Sequence, residues 1–262
     1  MANRYKSAAM LRDDAKGFMN GNYGRAIGVA MILVCFNYVV SVVLDLFDRI
    51  LTSAFVGAGA VSDSAVLVID IIYATISLAL SIVLSVFSMG MSLFYLKIGC
   101  KAQAMAGDLF VPFREDMSRS FAIAFRVTGV IGLAMLPGNV MYSYYTGTGQ
   151  TNAFYAAIAC FLVGGIIAIY VALTYQMSFF IMHDFAEYSA SEVLSACSKK
   201  MKGHKWRLFR LELSFIPYLL LAVATLGIGI LWVYPMMQEA RAQFYLDLMN
   251  PKKVSDEWER TV

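Results

Sequence analysis

From Ala65 to Leu96 the chain carries one charged side chain, Asp70, in 32 residues. A helix rises about 1.5 Å per residue, so roughly 20 apolar residues cross the hydrocarbon core of a bilayer. Several such runs occur in this sequence, and a water-soluble fold of 262 residues cannot bury them all. Composition agrees: 60% of residues are hydrophobic and 15% charged, against roughly 25% charged in soluble domains. The fold class expected is therefore all-α, a polytopic membrane protein.

Six spans are predicted, at 26–46, 66–96, 121–145, 153–182, 207–226 and 229–248. The last two are separated at Thr225-Leu-Gly-Ile-Gly229, a plausible tight turn; one span followed by an amphipathic tail is the alternative. Lys and Arg mark the cytoplasmic side. They crowd the N-terminal stretch (Arg4, Lys6, Arg12, Lys16, Arg25), the 97–119 connection (Lys97, Lys101, Arg114, Arg119) and residues 199–210. Residues 47–65 carry a single Arg, and Pro137–Asn152 no charge at all. The alternation places both termini inside in a multi-pass protein. Asp13 and Asp14, with no apolar core before residue 26, argue against a cleaved leader. Spans two and four exceed a perpendicular crossing, so they tilt or protrude. Phe94-Tyr95, Phe179-Phe180 and Phe244-Tyr245 close the even-numbered spans at their inner ends, as an interfacial aromatic belt would.

A short pattern precedes each odd-numbered span. Met19-Asn-Gly21 is followed by Arg25, and Met201-Lys-Gly203 by Arg207, at the same spacing; Met105-Ala-Gly107 takes the corresponding place before span three. An amphipathic helix is expected upstream of each. The clearest is Ser189–Met201, with an S-x-x-E capping box of Ser189 and Glu192 and a stop at Gly203. The membrane domain 1–250 thus parses into pseudo-repeats of about 1–96, 97–182 and 183–250, followed by a polar tail, 251–262.

The stretch Met201-Lys-Gly-His-Lys-Trp-Arg-Leu-Phe209, then Leu213-Ser-Phe-Ile216, Thr225-Leu-Gly-Ile-Gly229, Trp232-Val-Tyr-Pro235 and Phe244-Tyr245, resembles the DUF975 family. Asn20-Gly-Asn-Tyr-Gly-Arg25 resembles that family's opening, while Pro217 stands where Gly would follow the Ser-Phe-Ile. The resemblance implies an integral membrane protein of bacteria, mostly Gram-positive, and it transfers no catalytic residue.

Four groups of residues are candidate sites. Span two carries a polar stripe, Asp70, Ser77, Ser81, Ser85, Ser88 and Ser92, whose steps of three and four keep the serines on one helical face. It would serve close helix packing or line a polar path. Arg126, Glu212, Glu239 and Arg241 fall in the inner third of the bundle, where charge is expensive unless paired; an ion-pair cluster is expected. Lys199, Lys200, Lys202, Lys205, Arg207 and Arg210, interleaved with Trp206 and Phe209, should meet anionic lipid headgroups rather than nucleic acid. His183, Asp184 and Glu187 lack a further ligand, so no metal is expected, and the outer carboxylates Asp45, Asp48 and Asp63 form an acidic rim with Asp70. Cys35, Cys100, Cys160 and Cys197 show no metal or disulfide spacing.

No Walker, GxSxG, HExxH or dinucleotide pattern is present. No cofactor and no catalytic residue are expected. The favoured expectation is a non-enzymatic scaffold or accessory subunit holding lipid or a hydrophobic partner between helical hairpins. A small transporter or flippase using the span-two stripe is the alternative.

Overall fold

The computed structural model describes residues 5–57 and 63–250, helical throughout apart from short connections and with no strand among the described residues. In chain order the helices are α1 (Ala8–Met19), α2 (Tyr23–Gly57), α3 (Asp63–Gly99), α4 (Val111–Arg114), α5 (Met117–Thr148) and α6 (Thr151–Tyr175). There follow α7 (Ser178–Asp184), α8 (Ala190–Met201), α9 (Lys205–Leu213), α10 (Ile216–Ala224) and α11 (Ile230–Met249). A 3₁₀ turn, Ala106–Phe110, leads into α4. The polar tail 251–262 lies outside the described residues.

Among the described residues four segments are long and apolar enough to cross a membrane: Tyr23–Leu51, Ile71–Gly99, Met117–Thr148 and Thr151–Asp184. Their large side chains face outward, with Leu133 71% and Ile166 69% exposed. Apolar surface on that scale belongs against lipid. The protein is an all-helical membrane protein.

Predicted spans four and five are each divided. Span four is interrupted at Gln176-Met177, between α6 and α7. The segment 207–226 is divided at Ser214-Phe215 into α9 and α10. With nine residues, α10 rises only about 13 Å. Pro217 causes no kink, because it occupies the first turn of α10, where the missing N–H would have no intrahelical partner. Pro137 and Pro235 do lie inside helices, α5 and α11. The turn at 225–229 closes as a Schellman motif: Gly227 N–H reaches Ala222 O at 2.9 Å and Leu226 N–H reaches Val223 O at 3.0 Å. Leu226 takes the left-handed position at φ 56°.

The chain forms two compact units. The first contains residues up to 33, then 87–120 and 173 onward; the second contains 34–86 and 121–172. In the second unit α5 and α6 approach closely, with Gly138 against the Phe161 ring and Gly164 against the Ala134 backbone. The first unit holds nearly all the buried polar groups.

Within the first unit two corners are built alike. Ser7 caps α1 and Ser189 caps α8, each a 12-residue helix. Leu11, Ala15 and Met19 are buried from one, Val193, Cys197 and Met201 from the other. Both helices end in an extended cap residue, Asn20 (φ −59°, ψ 122°) and Lys202 (φ −63°, ψ 118°). A glycine follows at φ +84° (Gly21) or +85° (Gly203), a conformation that side chains with a Cβ rarely adopt. The next helix starts two residues later, at Tyr23 or Lys205. Glu192 completes the expected capping box: Ser189 N–H donates to its Oε2 at 2.8 Å. That hydrogen bond is the main reason its carboxyl titrates below the ordinary glutamate value.

The middle pattern, Met105-Ala-Gly107, has no such helix upstream. Gly99 and Ala106 are joined by a short non-helical connection, and Asp108 turns back to accept from Met105 N–H at 2.9 Å and from Lys97. There is too little chain for a helix to form. The aromatic pairs also depart from expectation. Phe94, Tyr95, Phe244 and Tyr245 are completely buried rather than set at a headgroup level. Tyr245 stacks on Phe180 at 5.1 Å and donates its hydroxyl to Asp184. Bonded inside the unit, these hydroxyls have no need of an interfacial position.

Candidate functional site

Of the cluster predicted around residues 126, 212, 239 and 241, one pair forms. Arg241 Nε and Nη2 donate to Glu212 Oε1 and Oε2 at 2.7 and 2.9 Å, joining α11 to α9 in a bidentate fork. Gln238 Oε1 accepts from the same guanidinium at 3.2 Å. With its amide assigned from the hydrogen-bond network, Gln176 at the α6–α7 break adds an acceptor 2.8 Å from Arg241 Nε. Arg126 is exposed on α5 with no ion pair among the described residues. Glu239 is likewise unpaired: it is completely buried, Oε1 accepts from Gln243 at 2.8 Å, and Oε2 has no donor among the described residues. The expected four-member network is therefore one ion pair, one exposed cation and one buried carboxyl. Helical register explains this, since Glu239 and Arg241, two residues apart on α11, point in different directions.

Arg207 is a second correction. It was expected at the lipid surface, yet its guanidinium is ion-paired with Asp247, whose side chain is 2% exposed. It also lies over the rings of Phe244 and Tyr5, at 4.7 and 4.9 Å. Asp247 accepts in addition from the Lys6 N–H, and Arg207 Nε donates to Lys6 O, so this pair fastens the segment leading into α1. Arg12 adds a bond to Ser214 O at 2.9 Å. Lys199, Lys200, Lys202 and Arg210 are exposed, as is Trp206, which packs on Phe209 at 5.2 Å. Lys205 is half-buried.

The serines of α3 largely bond to their own helix. Ser77 donates to Ala74 O, Ser81 to Ser77 O at 2.8 Å and Ser92 to Ser88 O at 3.0 Å. Hydroxyls satisfied in this way can face lipid or protein without water. Ser85 is half-buried and Ser88 exposed; the side chain of Asp70 lies outside the described residues, as do those of Asp48 and Asp63 in the acidic rim. His183 Nε2 contacts Met89 O at 3.0 Å while Asp184 takes the Tyr245 hydroxyl, so the two neighbours serve separate contacts. Cys197 is buried with its thiol on Thr174 O at 3.1 Å, and burial pushes that thiol up to about 12. A thiol so far from ionisation is a packing group.

Sequence reading missed two residues that organise this unit. Arg119 gathers the end of α7 and the chain after it: it donates to the carbonyls of Met182, Phe185 and Tyr188 at 3.2, 3.3 and 3.0 Å, and to Ala186 O and the Asp116 carboxylate. Carbonyl partners leave no sequence signal. Asp247 was visible in principle, since Glu239, Gln243 and Asp247 recur every fourth residue and mark a polar stripe on α11.

A family model described as a protein of unknown function, DUF975, matches residues 6–252. No curated protein and no solved structure matches the chain.

Proposed function

The chain belongs to the DUF975 family, and on that premise we propose that it is a non-enzymatic membrane scaffold or accessory subunit, holding lipid or a hydrophobic partner between helical hairpins. Six membrane segments are proposed: α2, α3, α5, α6 with α7, and a shorter closing hairpin of α9–α10 and α11. The duplicated corner supports descent of the first and last hairpins from one unit, with the middle hairpin as a third, diverged copy. The Lys and Arg of the first unit favour a cytoplasmic location for it, with both ends of this sequence on that side of a bacterial cell membrane. A closing hairpin that enters and returns leaves this parity unchanged.

One observation carries the scaffold reading. Glu239 apart, the inward-facing ionisable groups of the first unit are consumed in holding the chain together: Arg241 on Glu212, Arg207 on Asp247, Lys97 on Asp108 and Arg119 on backbone carbonyls. A carrier reading keeps one observation in its favour, the buried Glu239 with its unpartnered oxygen. Native mass spectrometry of protein released gently from its own membrane separates them. A scaffold is expected to bring a protein partner at fixed stoichiometry. Glu212→Gln is expected to lower thermal stability by about 1–3 kcal/mol through the broken fork, and Glu239→Gln to change little, with the partner retained in both. No partner, together with a transport defect in a stable Glu239→Gln protein, would overturn the scaffold in favour of the carrier.

The exposed cations support contact with anionic headgroups. Replacing Lys199, Lys200, Lys202 and Lys205 together by Gln is expected to weaken association with anionic liposomes at low salt, each charge near the surface contributing about 1 kcal/mol. Unchanged association in a vesicle flotation assay would remove headgroup contact from the proposal.

A further inference from the structure

The two matching corners differ in how their arginine is neutralised. At the second corner Arg207, four residues after Gly203, pairs with Asp247, two residues beyond Phe244-Tyr245. At the first corner the equivalent residue is Arg25, four residues after Gly21. The helix end against it is again an aromatic pair, Phe94-Tyr95, with the Tyr95 hydroxyl 3.5 Å from Ala26 O. Two residues beyond that pair stands Lys97 instead of an acid, and Lys97 is engaged with Asp108. Arg25 is exposed and makes no ion pair or side-chain hydrogen bond among the described residues. Among the described residues, the same corner therefore has an internal carboxylate in one copy and a guanidinium with no ion partner in the other.

A cleft of about 620 Å³ lined by Arg25 opens between the start of α2 and the connection 103–106. Gly24 and Gly28 line it, and a Cβ added at either would meet nothing within 4 Å. Its far walls are apolar, Ile32 from α2 and Met105 from the connection, both substantially exposed. Arg25 and Ile32 are seven residues apart, roughly 10 Å along the helix. The cleft thus has a cationic end at the start of a membrane-crossing helix and an apolar end further along it.

We propose that this cleft binds an anionic glycerophospholipid, its phosphate on the Arg25 guanidinium and the first methylenes of an acyl chain along Gly28 and Ile32. Guanidinium and phosphate match in charge and in bidentate geometry. The apolar wall gives the acyl chain a surface that free phosphate could not use. The proposal rests on the lipid-holding scaffold reading and assigns it a place and a ligand class.

The test titrates delipidated protein in detergent with phosphatidylglycerol or phosphatidylcholine of equal chain length, and counts bound lipid by native mass spectrometry. The unaltered protein is expected to favour phosphatidylglycerol, and Arg25→Gln to lose about five- to tenfold of that preference, the worth of one charge-assisted contact. Arg25→Lys should restore part of it, and Arg210→Gln, an exposed cation elsewhere, should leave it intact. Gly28→Leu adds an apolar side chain where a Cβ meets nothing within 4 Å, and is expected to narrow the cleft and lower binding of both lipids. Equal preference in Arg25→Gln and the unaltered protein overturns the proposal, as does no preference in the unaltered protein. Displacement of phosphatidylglycerol by millimolar inorganic phosphate overturns the lipid assignment and leaves a simple anion site. None of these outcomes depends on a protein partner, so the scaffold reading and the cleft can fail separately.

Discussion

Gly90→Ala is expected to be among the most damaging single-methyl additions in this protein. A Cβ at Gly90 would stand 2.6 Å from both the carbonyl carbon and the Cα of Leu109, and closer still to the Leu109 oxygen. These are backbone atoms of the 3₁₀ turn Ala106–Phe110, and Leu109 itself is 1% exposed. They cannot swing aside as a side-chain tip would. The turn must lift off α3, and with it the Asp108 carboxylate that holds Lys97 and the Met105 N–H. Overpacking ordinarily costs about 1–3 kcal/mol, and backbone opposition places this site at or above the top of that range, about 3 kcal/mol. Gly17→Ala is the control. It lies in α1 with nothing within 4 Å of the new methyl, and should stabilise by up to about 1 kcal/mol through helix propensity alone. Thermal unfolding of both variants in detergent reads the difference. A Gly90→Ala protein as stable as the parent would mean that the turn does not rest on α3.

Asp247→Ala is the second large effect. It leaves the Arg207 guanidinium, 14% exposed, without its carboxylate, and releases the Lys6 N–H at the entry to α1. Breaking one side of a buried ion pair typically costs about 3–5 kcal/mol, because the other charge stays buried and unpaired. The double variant Arg207→Leu with Asp247→Leu should recover much of that loss, since no orphaned charge remains. Limited proteolysis adds a local readout: in Asp247→Ala the N-terminal helix α1 should become cleavable before the rest of the first unit unfolds. If the double variant is no better than the single one, the pair contributes packing rather than charge compensation.

The apolar runs identify the long helices because twenty or more uncharged residues have one physical outlet. The same logic was weakest over 207–248, where apolar residues alternate with Arg210, Glu212, Glu239 and Arg241. There the turn at 225–229 is legible from its glycines, whereas the break at Ser214-Phe215, which shortens α10 to nine residues, carries no such signal. The matching corners were legible because left-handed backbone selects glycine, so Gly21 and Gly203 show in the sequence what the chain must do. The middle Gly107 satisfied the same pattern without the same geometry, for a short motif does not report the length of chain available before it.

By itself the sequence determined the class of solvent, the long helices and the two glycine corners, since hydrophobic length and backbone sterics act locally along the chain. Which charge meets which was settled only by the tertiary structure. Arg207 and Arg25 occupy equivalent places in equivalent motifs, yet one is ion-paired with the buried Asp247 and the other is exposed and lines an open cleft. Pairing depends on a residue supplied by another helix, Asp247 in one case and Lys97 in the other, and no local spacing encodes that meeting.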